Sequence, residues 1–140
     1  MIRILFISLA LILPWSAGAQ QVSEVVPPEV TAFAKPFENR LENITVYEGD
    51  FTGDGQSDAL VFFFVVPPTG GNLVLTVTEL FSRVDGTLQH AGTVEGMVGY
   101  PKRVHSWQPG RIEMVMTKLL PNEPRCCPTG EQIYSIIPPG

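Results

Sequence analysis

The sequence predicts a single, mainly β domain: an antiparallel meander of about six strands that follows a short N-terminal helix. Glycine and proline contribute 13 residues each to a chain of 140, which excludes long uninterrupted helices. Apolar residues fall in short runs that end at tight-turn signals, and no crossover helices separate these runs. Charged residues make up 16% of the chain and hydrophobic residues 44%, values typical of a folded domain.

The first 19 residues have the order of a secretory signal peptide. A short segment with Arg3 precedes the apolar run 4–14, and the small residues 16–19 place Ala17 and Ala19 in an A-x-A pattern. We therefore predict cleavage after Ala19 and export to the periplasm or the extracellular space. The apolar run is too short to cross about 30 Å of hydrocarbon, and no later run is longer, so the mature chain is predicted to lack a transmembrane segment.

The charge of the mature chain argues against nucleic acid as a partner. Removing 19 residues from 140 leaves 121, and losing Arg3 leaves eight Lys and Arg against fourteen Asp and Glu, a net charge of −6. Such a chain repels phosphate backbones.

The mature chain divides into a lead-in, 20–43, and a β-rich domain, 44–140. The segment 29–41 of the lead-in has the pattern of one short amphipathic helix, interrupted by Pro36. Strands are predicted in order at 44–47, 59–66, 73–81, 87–95, 111–118 and 132–137.

The run 59–66 is continuously apolar, which predicts a central strand covered on both faces. Asp85 and Gly86 both tolerate positive φ, so they predict a tight hairpin between the strands on either side. Glu79 interrupts the apolar face of the strand formed by Leu73, Leu75, Val77 and Phe81, and a bulge or an edge position is needed to accommodate it.

The most informative segment is an acidic, glycine-rich loop from Asp50 to Asp58. Oxygen-bearing side chains recur at every second residue, and Gly55 allows a sharp turn, which is the spacing of a calcium-binding loop. Three converging carboxylates repel one another unless a cation neutralises them. The predicted calcium ligands are Asp50, Thr52, Asp54, Gln56 (through its carbonyl) and Asp58. The alternative is an acidic turn that binds no ion.

The loop resembles the single-loop calcium motif of FG-GAP and VCBS-type repeats, in which D-x-[DN]-x-D-G-x-x-D leads into an apolar strand. Thr52 stands where those repeats carry Asp or Asn. An EF-hand is excluded because Val61 occupies the position of its bidentate Glu. The resemblance implies one structural calcium ion, and a single loop excludes a complete propeller.

A wider resemblance spans residues 45–137. The acidic loop with its strand, Gly70-Gly71, Lys102-Arg103-Val104 and Cys126-Cys127-Pro128-Thr129 follow one another as in a family of small secreted bacterial domains of uncharacterised function. This resemblance implies an exported β-rich module and assigns no catalytic residue.

Cys126 and Cys127 are the only cysteines, and exported thiols seldom stay free. Pairing with each other is predicted to form a small, strained ring that rigidifies the turn between Pro124 and Pro128. Intermolecular pairing, free thiols, or a thiolate or copper site with other ligands such as His90 and His105 are the alternatives.

No motif in the sequence predicts catalysis. His90 and His105 have no catalytic spacing, and the best remaining enzyme hypothesis is a small hydrolase that uses Asp50 and Asp58 as a carboxylate pair. Tyr100 and Trp107 form either an exposed aromatic surface or part of the core. The sequence therefore favours an exported β module with a structural calcium site, acting in binding or assembly with an envelope protein or glycan. A periplasmic thiol or copper protein is the alternative.

Overall fold

The structure, a computed structural model, describes residues 21–71 and 74–140. The predicted signal peptide, its cleavage site and Leu73 lie outside these residues. The described residues contain one α-helix, α1 (Pro28–Ala34), followed by a 3₁₀ helix (Lys35–Arg40). They also contain eight strands: β1 (Gln21–Val22), β2 (Leu41–Gly49), β3 (Asp58–Val65), β4 (Leu75–Val84), β5 (Thr87–Val94), β6 (Pro101–Gln108), β7 (Arg111–Lys118) and β8 (Gly130–Ile136).

The strands form two antiparallel sheets in which neighbours in space are also neighbours in sequence. The first sheet has the order β1-β2-β3-β4-β5, and the second has the order β6-β7-β8. The predicted fold class, a mainly β antiparallel meander with a short helix, is confirmed. The division into two sheets and the larger number of strands were not predicted.

Strand β3 lies at the centre of the first sheet, as predicted, and all eight of its residues are buried. Leu60, Phe62 and Phe64 pack against the second sheet, where they form one core cluster with Met114 and other buried residues of β7. The alternate residues of β3, including Phe63, pack on the other face against the helical layer, which consists of α1 and the 3₁₀ helix. Both faces are covered, which explains why the run is continuously apolar.

Helix α1 forms where the sequence predicts it. Pro28 occupies its first turn, where the missing N–H costs nothing, and Val30 and Ala34, one turn apart, are buried against the first sheet. The chain changes to the 3₁₀ helix around Pro36. Strand β1 pairs with β2, and β2 begins at Leu41, so the lead-in is part of the same packed structure.

The Asp85–Gly86 hairpin is confirmed, with φ of 50° and 82° at the two residues and β4 paired to β5. Of the two arrangements expected to accommodate Glu79, the structure has the bulge, which lies opposite Leu80 and Phe81. The extra residue in β5 places His90 and Thr93 on the same face. His90 Nε2 lies 2.6 Å and the Thr93 hydroxyl 2.8 Å from Oε2 of Glu79, which is buried.

Strand β6, which has eight residues, is not among the strands predicted from the sequence. Its pairing with β7 has irregularities between Pro101 and Arg103 and between Val104 and Ser106. Only Val104 of this strand is buried, so neither an apolar run nor a regular alternation marks it. Strand β7 has the predicted bounds, and the alternation of Ile112, Met114 and Met116 places these side chains in the core.

No helix within the described residues is long and apolar enough to cross a membrane.

Replacing His90 with Ala is expected to destabilise the fold by about 1–3 kcal/mol, because it leaves the buried Glu79 carboxylate with Thr93 as its remaining side-chain partner. The His90 ring also stacks on Phe33 of α1, with ring centroids 4.7 Å apart. Urea unfolding measures the change. The matched control is His105→Ala at an exposed position, with an expected effect below about 0.5 kcal/mol. Equal effects of the two variants contradict this assignment.

Candidate functional site

The acidic loop between β2 and β3 is folded around its own carboxylates. Gly53 and Gly55 have φ of 81° and 84°, which turns the chain sharply, as the sequence predicts for Gly55. The Gly53 amide donates to Oδ1 of Asp50 (2.6 Å), and the Gly55 amide donates to Oδ2 (2.8 Å). Asp50 therefore holds the first half of the loop in a tight turn.

Asp58, the last predicted ligand, is fully buried at the start of β3. Its Oδ2 accepts hydrogen bonds from the Phe51 and Thr52 amides, both at 3.0 Å. Its Oδ1 accepts from the Arg83 amide of β4 at 2.8 Å. The Thr52 hydroxyl lies 3.1 Å from Asp58 Oδ2 and 3.2 Å from Asp50 Oδ1, so it can donate to either carboxylate. Asp58 thus closes the loop and ties it to β4.

Asp54 lies at the exposed tip of the loop and Gln56 is half-buried beside it. Oδ1 of Asp54 accepts from the Gln56 amide at 2.8 Å, and Oδ2 lies 3.4 Å from the Gln56 side-chain nitrogen. The exposure of Asp54 leaves its carboxylate accessible from solvent.

The environment of Asp50 favours its charged form. Burial on its own raises the pKa of Asp50, but hydrogen bonds from the Gly55 and Gly53 amides, the Thr52 hydroxyl and the Asp54 amide outweigh it. Together they hold the pKa below its ordinary value of 3.8.

The loop also docks on the turn between β6 and β7, which belongs to the second sheet. The Phe51 side chain is in the core, and its carbonyl accepts from the Gly110 amide at 2.8 Å. Gly49 lies directly beneath the Trp107 indole, where any β-carbon would collide with the ring. Trp107 is thus a packing residue, and its buried Nε1 has no hydrogen-bond partner within the described part of the chain. The loop therefore connects the two sheets.

The chemistry of the loop fits a hard cation in part. Asp50, Thr52, Asp54 and Gln56, none of which is buried, offer oxygen atoms, the ligand type that calcium prefers. Asp58 does not fit in this conformation, since both of its oxygens are buried and already accept hydrogen bonds. Within residues 21–71 and 74–140, no three His, Cys, Asp or Glu side chains are grouped as metal ligands. Calcium binding therefore stays a prediction.

The burial of Asp58 also bears on the hydrolase hypothesis. A general acid or nucleophile must reach its substrate, and this carboxylate has no exposed surface. The proposed pair of Asp50 and Asp58 is therefore not accessible to a glycoside in this conformation.

Cys126 and Cys127 are bonded to each other, and the described residues contain no free cysteine. Glu123 organises the same turn: its carboxylate accepts from the Leu120 amide (2.9 Å), from the Thr129 amide (3.1 Å) and from the Thr129 hydroxyl. These bonds, led by that from the hydroxyl, lower the pKa of Glu123. A thiolate metal site at this turn requires reduction of the bond first.

A cleft of about 460 Å³ opens beside the disulfide turn, the segment 123–129 that contains both cysteines. Its walls come from the segment before β6, from the end of β7, from β8 and from the turn itself. Lining residues include Val98, Tyr100, Lys118, Leu119, Arg125 and Tyr134. Tyr100 is half exposed there, so of the two aromatic residues considered from sequence, Tyr100 belongs to an open surface. No short motif marks this cleft, because its residues are dispersed between 98 and 134.

No model of a known protein family matches the chain, and neither a curated protein nor a solved structure does. The resemblances to FG-GAP and VCBS-type loops and to small secreted bacterial domains therefore rest on the sequence motifs alone.

Replacing Asp58 with Asn is expected to cost about 2–3 kcal/mol, because the amide group turns one acceptor into a donor that faces backbone N–H groups. Urea unfolding in the presence of EDTA measures this cost without any contribution from bound calcium. Asp54→Asn is the matched control at the exposed tip, with an expected change below about 0.5 kcal/mol. A stability of Asp58→Asn close to that of the wild type rules out a loop-closing role.

The lowered pKa of Asp50 predicts a pH-dependent contribution to stability. The stabilisation is fully present above the ordinary pKa of 3.8 and is lost as the pH falls through the lower pKa of the folded state. The melting temperatures of the wild type and of Asp50→Asn are therefore expected to differ most near neutral pH. The difference is expected to shrink as the pH falls below about 4. Melting both proteins between pH 7 and pH 2 checks this. A difference that does not change with pH contradicts it.

Proposed function

We propose that this chain is an exported, non-catalytic β module whose acidic loop binds one structural calcium ion and which acts through binding or assembly at the cell envelope. The observation that carries the proposal is the position of the acidic loop. It joins β2 to β3 in the first sheet and docks on the β6–β7 turn of the second, so an ion that stabilises the loop also stabilises the packing of the two sheets.

Four residues would hold the ion: Asp50, Thr52 and Asp54 through their side chains, and Gln56 through its carbonyl. Calcium supplies the positive charge that offsets the repulsion between the Asp50 and Asp54 carboxylates. The hydrogen bonds from the Gly53 and Gly55 amides keep Asp50 ionised and fixed, which prepares it for a cation. Asp58 then acts as the brace that closes the loop from the inside.

Export is supported by the predicted signal peptide and by the paired cysteines. Disulfides persist mainly in oxidising compartments, and both cysteines of this chain are paired. A binding role is supported by the open cleft beside the disulfide turn. Two of the residues considered for catalysis have structural contacts instead: His90 contacts Glu79, and Asp58 braces the loop.

Calcium is expected to raise the melting temperature, and EDTA to lower it. At a free calcium concentration of ten times the dissociation constant, the expected stabilisation is about 1.4 kcal/mol. Asp54→Ala removes this calcium-dependent part because it deletes an exposed ligand. Ser57→Ala retains it, because the Ser57 side chain lies outside the alternating set of ligands, and the contact from Arg83 is to the Ser57 carbonyl, which the substitution keeps.

Asp58→Asn distinguishes the role of Asp58 in closing the loop from the role of the calcium ligands, because this variant is expected to lower stability both with and without calcium. Thermal melting of all four proteins in calcium and in EDTA makes the comparison. A wild type that does not respond to calcium, or equal loss of the response in Asp54→Ala and Ser57→Ala, overturns the calcium site.

A further inference from the structure

We propose that the cleft beside the disulfide turn binds small amphipathic organic anions, in which a carboxylate or sulfonate is attached to an aromatic or short alkyl body. This inference rests on the binding role proposed above and names the chemical class of the ligand. It concerns residues that take no part in the acidic loop.

The size of the cleft fits a small molecule. Its volume of about 460 Å³ lies within the range of about 300–1,000 Å³ that ligand sites commonly have. The cleft lies at the end of the second sheet opposite the β6–β7 turn, since Tyr100 precedes β6 and Lys118 ends β7. It is therefore separate from the surface on which the acidic loop docks.

One part of the cleft is apolar and exposed. Val98 is 68% exposed, Tyr100 50% and Leu119 46%. The Tyr100 ring stacks on the core residue Phe64 with centroids 6.1 Å apart, which holds it in place while half of its surface remains open. These side chains offer contact area to an aromatic or alkyl group.

The polar groups between these side chains are already hydrogen-bonded. The Tyr134 hydroxyl accepts from the Val98 amide (3.1 Å) and from the Gln132 side chain (2.9 Å). The Thr117 hydroxyl accepts from the Tyr100 amide (2.8 Å). The walls are thus fixed before a ligand arrives, which reduces the ordering that binding requires.

The charged part of the cleft is positive. Lys118 and Arg125 both line it, and no Asp or Glu is among the lining residues that the structure describes. Within the described residues, neither of these two cations has a salt bridge or a side-chain hydrogen bond. The other basic residues that do have such contacts are Arg40, Arg83, Lys102, Arg103 and Arg111.

The two acidic residues nearest in sequence to the lining residues of the cleft already have partners. Glu131 is bound by Arg103 and Lys102, which lower its pKa to about 2, and Glu123 is bound within its own turn. In a chain with an excess of acidic residues, two unpaired cations beside an apolar surface are complementary to an anion with an apolar body. The bonded cysteines lie between Arg125 and Pro128, both of which line the cleft, so the disulfide restricts the segment next to Arg125.

The probe for this site is 8-anilinonaphthalene-1-sulfonate (ANS), an aromatic sulfonate whose fluorescence rises in an apolar environment. We expect one molecule to bind per chain, and Lys118→Gln and Arg125→Gln each to weaken binding about two- to fivefold, the range of an exposed charge pair. Lys35→Gln is the matched control, because Lys35 is an exposed cation on the helical layer, and it leaves the affinity unchanged.

Competition defines the ligand class. 4-Phenylbutyrate is expected to displace ANS. The uncharged 4-phenylbutanol, and acetate, a carboxylate without an aromatic group, are expected to compete at least about fivefold less well. Melting each variant confirms that it is folded. Equal effects of the Lys35 and Arg125 variants, equal competition by phenylbutanol, or no saturable ANS binding overturns the proposal.

Performing the titration in calcium and in EDTA separates this inference from the proposed function. Absent ANS binding with an intact calcium response overturns the cleft and leaves the calcium-stabilised module. Saturable binding that depends on Arg125, without any calcium response, supports the cleft and overturns the calcium site.

Discussion

The structure depends on how one buried carboxylate, that of Asp58, is satisfied. A carboxylate without solvent is tolerated only where hydrogen bonds replace its hydration, and here backbone amides of the acidic loop and of β4 supply them. The same bonds set the shape of the loop. That shape places Phe51 in the core and its carbonyl against the β6–β7 turn, so the packing of the two sheets follows from the local chemistry of the loop.

The two candidate sites lie at opposite ends of one core. Strand β3 begins at Asp58 beside the acidic loop and reaches Phe64, which stacks on Tyr100 in the cleft. Acidic groups are concentrated at the first end, and unpaired cations line the cleft at the second. We interpret the first end as stabilising and the second as binding. Because β3 is buried throughout, an apolar, close-packed element joins them.

Much of the fold is readable from the sequence because its signals are local. The apolar run of β3, the Asp85–Gly86 turn and the alternation in β7 each predict their element directly. Strand β6 was missed because its bulges interrupt the alternation. The role of Asp58 was also not predicted, because the spacing of oxygen side chains does not distinguish a carboxylate that faces an ion from one that faces backbone amides. The cleft unites residues that are far apart in sequence, so no local pattern indicates it.

Native-state hydrogen exchange at the amides of Phe51, Thr52 and Arg83 measures whether the Asp58 carboxylate holds the acidic loop. If these three amides donate to Asp58, we expect them to exchange slowly and together, with opening free energies close to that of global unfolding. Thr52 is the most informative of the three, because the residue is exposed and, among the residues that the structure describes, its amide donates to Asp58 alone. Exchange of the Phe51 and Thr52 amides at the rate of an unprotected loop, while β3 stays protected, would show that the Asp58 carboxylate does not hold the loop.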